Sequence, residues 1–241
     1  MSPWVRKLDH FAPLSPSDRL VLEEISTGGE THEAGILLAQ AGDALEGIFV
    51  VVEGLACSFK LRSDGARQIT AYLVPGDFCD VDVAPQIMDH CFGTLSACRI
   101  AKVSRETLRQ VKQGRPAVAE ALHISALVDE ATLREWLMNI GRRSAEERIA
   151  HLFCELSTRM QAVGLVEDNS FRLPLTQFDL GDTLGLSYVH VNRTLQVLRQ
   201  QGLIVLRGKT LTILDAAGLK ALAEFNPGYL RTGARGTVAS I

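Results

Sequence analysis

The 241-residue sequence predicts an α+β protein in three consecutive parts: antiparallel β structure, one long helix, and a unit of two short helices followed by a β hairpin. Three observations predict it. Short apolar runs separated by glycine-bearing turns occupy residues 28 to 113. Helical periodicity with no Gly or Pro runs from 117 to 140. The stretch "GDTLGLSYVHVNRTLQVLRQQGL" is followed directly by "IVLRGKTLTIL". These divide the chain into residues 1–115, 116–143 and 144–241.

Composition excludes several classes. With 46% hydrophobic and 22% charged residues the chain is globular, and its length suits two modest domains. No stretch approaches the roughly 18 to 20 uncharged apolar residues that span a bilayer, and "MSPWVRKLDHF" is not a secretory leader, so a cytoplasmic protein with no membrane partner is expected. The five cysteines form no C-x-x-C pair, which argues against a zinc ribbon or a disulfide framework. No G-x-S-x-G, H-E-x-x-H or P-loop is present, so no enzymatic activity is expected. The net charge of -3 is uneven: residues 1–145 hold 15 Lys/Arg against 19 Asp/Glu, and residues 146–241 hold 10 against 9. Within 171–213, five cations face only Asp179 and Asp182, the sign that phosphate contact requires.

In the first part, "GILLAQAGD", "GIFVVVEG", "LACSFKLRSDG", "ITAYLVPGD" and "ACRIAKVS" read as strands, and Asp64-Gly65 supplies a hairpin turn with positive φ. After Pro116, two apolar stripes follow the long helix. Ala117, Ala121, Ile124, Val128, Ala131 and Met138 form one; Ala119, Leu122, Ala126, Leu133, Leu137 and Ile140 form the other. One stripe is expected on the chain's own β domain. The second, with Leu122, Ala126, Leu133, Leu137 and Ile140, is expected on the same helix of a second copy. Gly141 ends that helix, and Ser144 with Glu147 has capping-box spacing for the next.

Thr176 and Asp179 likewise cap a short helix to about Leu184, "GLS" makes the turn, and Ser187 caps a second helix to about Gln201. Val191, Leu195 and Leu198 share one face of it and pack on Leu180 and Leu184. The opposite face shows Tyr188, Val189, Asn192 and Arg193, the types and places that reach base edges from a recognition helix; Arg193 suits a bidentate contact to guanine. Thr176, Gln177 and Arg199 flank that face as phosphate contacts, as does Lys209 at the basic hairpin tip Arg207-Gly208-Lys209.

From "LDHFAPLSPSDRLVLEE" to "GKTLTIL", through "QAGD", "GIFVVVEGLA", "VPGDF" and "ERIAHLF", the chain resembles the Crp/Fnr superfamily of bacterial transcription regulators. The resemblance implies that the β part is a jelly-roll-like β-roll of the cyclic-nucleotide-binding type and that the last part is a winged helix-turn-helix. It also implies a homodimer that reads a palindromic operator in double-stranded DNA and engages RNA polymerase, with "AVGLVEDNS" as a contact loop. By position in the family, Ser187 and His190 contact phosphate, and Tyr188, Val189 and Arg193 read bases. The family's frequent Glu at the second reading position is Val189 here, so apolar contact with a thymine methyl replaces a carboxylate that would accept from cytosine.

The sensory half departs from the cyclic-nucleotide binders. Their Gly-Glu-Leu element and Arg-Ser pair are replaced: Val81 stands near the Glu place and Met88-Asp89 near the pair, with no Arg between Arg67 and Arg99. A phosphate would meet Asp80, Asp82 and Asp89 without an opposing cation, so cyclic AMP is not the expected effector, and the effector is otherwise unassigned. Cys79, Asp80, Val81, Asp82, Met88, Asp89, His90 and Cys91 mark the effector segment. Two alternatives remain open: a regulator competent without any ligand, or a haem, metal or thiol redox sensor using Cys79, His90 and Cys91. No cofactor is otherwise expected.

Overall fold

The structure is a computed structural model that describes residues 1–79 and 87–232. Two N-terminal helices come first, α1 (Pro3–Phe11) and α2 (Pro16–Ser26), capped by Ser2 and Ser15, each with Pro in the first turn where its missing N–H costs nothing. The strands β1 (Glu30–His32), β2 (Leu37–Ala39), β3 (Gly47–Glu53), β4 (Ala56–Leu61), β5 (Arg67–Leu73), β6 (Cys91–Thr94) and β7 (Cys98–Ser104) follow. They pair antiparallel in two sheets, ordered β1-β7-β3 and β2-β6-β4-β5. Phe92, Val51, Ile100 and Cys98 fill the space between them, as alternation of inward apolar side chains requires. At the β4–β5 turn only Gly65 has positive φ, +85°; Asp64 does not.

The β segment ends earlier than the sequence reading has it. Residues Arg105–Gly114 form α3, capped by Ser104, with Leu108 and Val111 one turn apart on its buried face. The long helix α4 (Pro116–Arg142) runs through Gly141 rather than stopping there, and α5 (Ala145–Ala162) starts from Ser144 with both hydrogen bonds of the predicted capping box.

One assignment on α4 is corrected. Leu122 is 1% exposed and belongs to the chain's own core with Trp4, Leu8, Val118 and Ala121. At about 100° per residue it lies about 40° from exposed Ala126 on one side and about 40° from buried Val118 on the other, at the edge where the second stripe meets the buried face. Near its start the helix is covered by α1, which decides the matter. Ala126, Leu133 and Leu137 remain exposed and Ile140 half-exposed, with Met138 and Leu127 joining that face, while Trp136 turns inward.

The C-terminal unit consists of β8 (Ser170–Arg172), α6 (Gln177–Leu184), α7 (Tyr188–Gln200), β9 (Ile204–Arg207), β10 (Thr210–Ile213) and α8 (Ala216–Ala223), then a 3-10 turn (Pro227–Leu230). Its sheet is ordered β8-β10-β9. The sequence reading had the β9–β10 hairpin but assigned no strand at β8.

Buried charge ties these parts together. Arg159 of α5 donates to Asp77, at 2.6 Å, and to Glu155, at 3.0 Å; Asp77 also takes Lys7 of α1 at 2.7 Å. Glu155 accepts from Trp136 of α4 and from Tyr229 of the 3-10 turn, both at 2.9 Å. Burial opposes ionisation of Asp77, but Lys7 and Arg159 outweigh it and hold the carboxyl below its ordinary range.

Candidate nucleic-acid interface

The two helices α6 and α7 meet as the sequence predicts. Thr176 caps α6, Gly185 (φ +64°) makes the turn and Ser187 caps α7. Gly181 is required for this turn, because a Cβ there would lie 2.6 Å from the Leu186 carbonyl oxygen. Val191, Leu195 and Leu198 are each 0% exposed and pack in one core with Leu180 and Leu184. Burying each stabilises the unit by roughly 1.5 to 3 kcal/mol, which fixes α7 as a rigid rod.

The outer face of α7 is open. Tyr188, Val189, His190 and Arg193 are exposed, as are Ser187 and Arg199. Gly208 and Lys209 both have positive φ, so the hairpin turns in two residues and projects Lys209 at its tip. Among the described residues Arg193, Arg199, Arg207 and Lys209 enter no salt bridge, whereas Asp179 and Asp182, the acids that would offset them, are both paired with an arginine from the β-roll. This face therefore carries uncompensated positive charge.

Two predicted contacts are otherwise engaged. Asn192 donates to Gln177 at 3.2 Å and accepts from Gln196 at 3.0 Å, so half of its amide hydrogen-bonding capacity is already used and its orientation is set by these two partners. The Thr176 hydroxyl donates to Asp179 at 2.6 Å and accepts from the Asp179 N–H at 3.1 Å, which commits it to the cap. Gln177 accepts from Asn192 through its carbonyl oxygen. Phe178, which the sequence reading passed over, stands 67% exposed beside Tyr188; an aromatic on the polar side of a short helix was the available signal.

The recognition unit is docked on the β-roll. Arg67 of β5 donates to Asp179 at 2.6 Å and to Asp182 at 2.7 Å. Gln68 donates to the Thr183 carbonyl at 3.0 Å, and the Tyr72 hydroxyl hydrogen-bonds both the Thr183 hydroxyl and the Asp179 carbonyl. Burial alone would lower the Arg67 pKa, but its two carboxylate partners raise it, so the clamp stays charged.

Between β4, β5 and α4 lies a cavity of about 390 Å³, lined by Lys60, Thr70, Tyr72, Asp77, Cys79, Asp89, His90, Asp129, Trp136 and Arg159 among others. The sequence argument that no cation faces this region is corrected here. Lys60 lies 2.8 Å from Asp89, and Arg159 comes from α5; linear spacing could reveal neither. Both are already ion-paired. Asp89 is drawn down to about 2 by hydrogen bonds from His90 and then Lys60. Asp129 is reached by solvent along the cavity wall, yet the protein around it raises its carboxyl. Cys79, Met88 and Cys91 are buried in the β-roll core, and Asp80, Val81 and Asp82 lie outside the described residues. All five cysteines are buried free thiols, and burial pushes those of Cys57 and Cys154 up to about 12. Among the described residues no group of three or more His, Cys, Asp or Glu converges to hold a metal, and no helix is long and apolar enough to cross a membrane.

Comparison with known proteins now decides the family. Residues 147–222 match the Crp-like helix-turn-helix domain and residues 30–115 the cyclic nucleotide-binding domain. The chain is 30% identical over 197 residues to the transcriptional activator protein FnrL of Cereibacter sphaeroides, covering 76% of this chain and 75% of that one. The chain belongs to the Crp/Fnr family of transcription regulators. A second member, the nitrogen fixation regulation protein FixK of Azorhizobium caulinodans, is 30% identical over 178 residues, covering 73% and 71% of the two chains. FixK2 from Bradyrhizobium japonicum superposes with a TM-score of 0.73 at 25% identity, covering 81% of this chain and 96% of that structure. The β-roll, long helix and winged helix-turn-helix are thus those of a Crp/Fnr regulator, and the chain is a DNA-binding transcription regulator rather than an enzyme.

Proposed function

We propose that two copies of the chain pair along α4 and read a palindromic operator, with Tyr188, Val189 and Arg193 at base edges. Ser187, His190, Gln177, Arg199 and Lys209 lie on phosphate. The observation that carries this reading is the outer face of α7, where exposed base-reading side chains sit among cations that no carboxylate neutralises. Two-fold pairing would set the recognition helices one duplex turn, about 34 Å, apart. The exposed stripe Ala126, Leu133 and Leu137 supports such pairing, since an isolated chain would leave these apolar side chains in water. Some relatives are named as transcriptional activators, and we propose that this regulator engages RNA polymerase, with the exposed loop Gly164, Leu165, Glu167 and Asp168 as a contact.

Cyclic AMP does not fit the cavity as effector. Its cations Lys60 and Arg159 are spent on Asp89, Asp77 and Glu155, and Asp129 adds a further carboxyl, so a phosphodiester would displace an ion pair to bind. The dimer therefore binds DNA without it.

The test is selection of genomic fragments by extensively dialysed protein at fixed salt, followed by sequencing. Enrichment of a two-fold symmetric motif is expected. Salt is fixed because phosphate contact alone mimics affinity. Retention of fragments without a shared motif would refute sequence reading by α7.

A further inference from the structure

The aromatic pair Phe178 and Tyr188 carries an inference that rests on the assignment of Tyr188 as a base reader. Phe178 is the second residue of α6 and Tyr188 the first of α7. Their rings stack with centroids 5.0 Å apart and planes 25° from parallel. Phe178 is 67% exposed, Tyr188 47% and Val189 57%, so this stack does no core packing; the core beneath is made by Leu180, Leu184, Val191 and Leu195. Val189, also exposed, follows Tyr188 in the first turn of α7, and Arg193 is exposed one turn further on.

We propose that Phe178 is a positioning residue for sequence readout: it holds the Tyr188 ring so that Tyr188 and Val189 form an apolar wall for the C5-methyl group of a thymine in each half-site. A tyrosine at the first position of an exposed helix has no neighbour in its own helix on the N-terminal side to restrain it. Stacking on Phe178 supplies that restraint from the other helix and removes ring freedom before DNA arrives, so less ordering is left for the complex. The same stack widens the apolar surface offered to the groove. In the major groove thymine alone among the four bases presents a methyl group, so such a wall discriminates thymine without hydrogen bonds.

The experiment uses the full-length protein and a synthetic duplex carrying the motif enriched by the genomic selection. Thymines in each half-site are replaced one at a time by deoxyuridine, which removes the methyl group alone. Unaltered protein is expected to lose about fourfold in affinity at one position per half-site, the value of one buried methyl group. Phe178→Ala is expected to bind thymine and uracil duplexes alike at that position, and Phe178→Trp to restore the difference. Thermal melts of both variants check that they fold, which the exposure of the ring permits. If Phe178→Ala keeps the fourfold difference, or weakens every duplex equally, the positioning role is wrong. If Tyr188→Ala also keeps the difference, the failure lies instead in the assignment of Tyr188 as a reader.

Discussion

Replacing Arg67 tests how the β-roll holds the recognition unit. The Arg67 side chain is 28% exposed, Asp179 10% and Asp182 33%, so the clamp lies between a surface pair and a buried one. Fully buried pairs cost about 3 to 5 kcal/mol when one partner is removed, and exposed pairs about 0 to 1 kcal/mol. Arg67→Ala leaves Asp179 nearly buried, but Asp179 still accepts from the Thr176 N–H and hydroxyl at 2.9 and 2.6 Å. Asp182 is left better hydrated. We therefore expect a loss of about 2 kcal/mol in urea unfolding at low salt. A double-mutant cycle with Asp182→Asn isolates the second arm of the clamp without disturbing the cap, and should give a coupling of about 1 kcal/mol. DNA affinity should fall with it, most at low salt, because two uncompensated carboxylates would then lie behind the cationic face. A coupling below about 0.3 kcal/mol, together with unchanged affinity, would refute the claim that this clamp fixes the reading unit.

Other expectations follow from the same geometry. Leu137→Glu should raise the dimer dissociation constant about 100-fold or more while leaving the fold intact, whereas Leu122→Glu should unfold the chain; sedimentation and circular dichroism separate the two. Arg193→Ala should cost about 1 to 3 kcal/mol and relax preference at one base pair per half-site, while Lys209→Ala weakens all duplexes alike and lowers the salt slope by about 1 per subunit. Both are read by fluorescence anisotropy. His151 is 1% exposed, and burial, then Arg143, lowers its pKa from 6.5 to about 4 despite Glu135 at 3.5 Å. The unfolded chain binds this proton first as pH falls, so the stabilising effect is complete above pH 6.5 and is lost toward pH 4. About 2 kcal/mol should be gone by pH 5. The urea midpoint of His151→Gln should lose that part of the acid dependence. Calorimetry with cyclic AMP should show no micromolar binding; a saturating isotherm in that range would overturn the electrostatic argument about the cavity.

Several features were legible in the sequence because they depend on neighbours along the chain. The cap at Ser187 needs only a side-chain oxygen three residues before an N–H, and the Val191, Leu195 and Leu198 stripe needs only the 3.6-residue period. The turn at Gly185 and the Gly208-Lys209 tip are likewise local conformational preferences. The sequence by itself therefore determined the helix-turn-helix, its hairpin and the face of α7 that looks outward. What surrounds a side chain from elsewhere in the chain was decided by the tertiary structure alone. Leu122 shares the stripe of Ala126, Leu133 and Leu137 on α4, and only the docking of α1 makes it core. Asn192 has a neighbour in Gln196 four residues on along its own helix, but only the fold adds Gln177 of the preceding helix as a second partner. Arg67 meets Asp179 and Asp182 more than 100 residues away, and Lys60 and Arg159 bring to the cavity the positive charge that its own segment lacks. Electrostatic and packing energies depend on distance in space, and folding brings together residues that no sequence period relates.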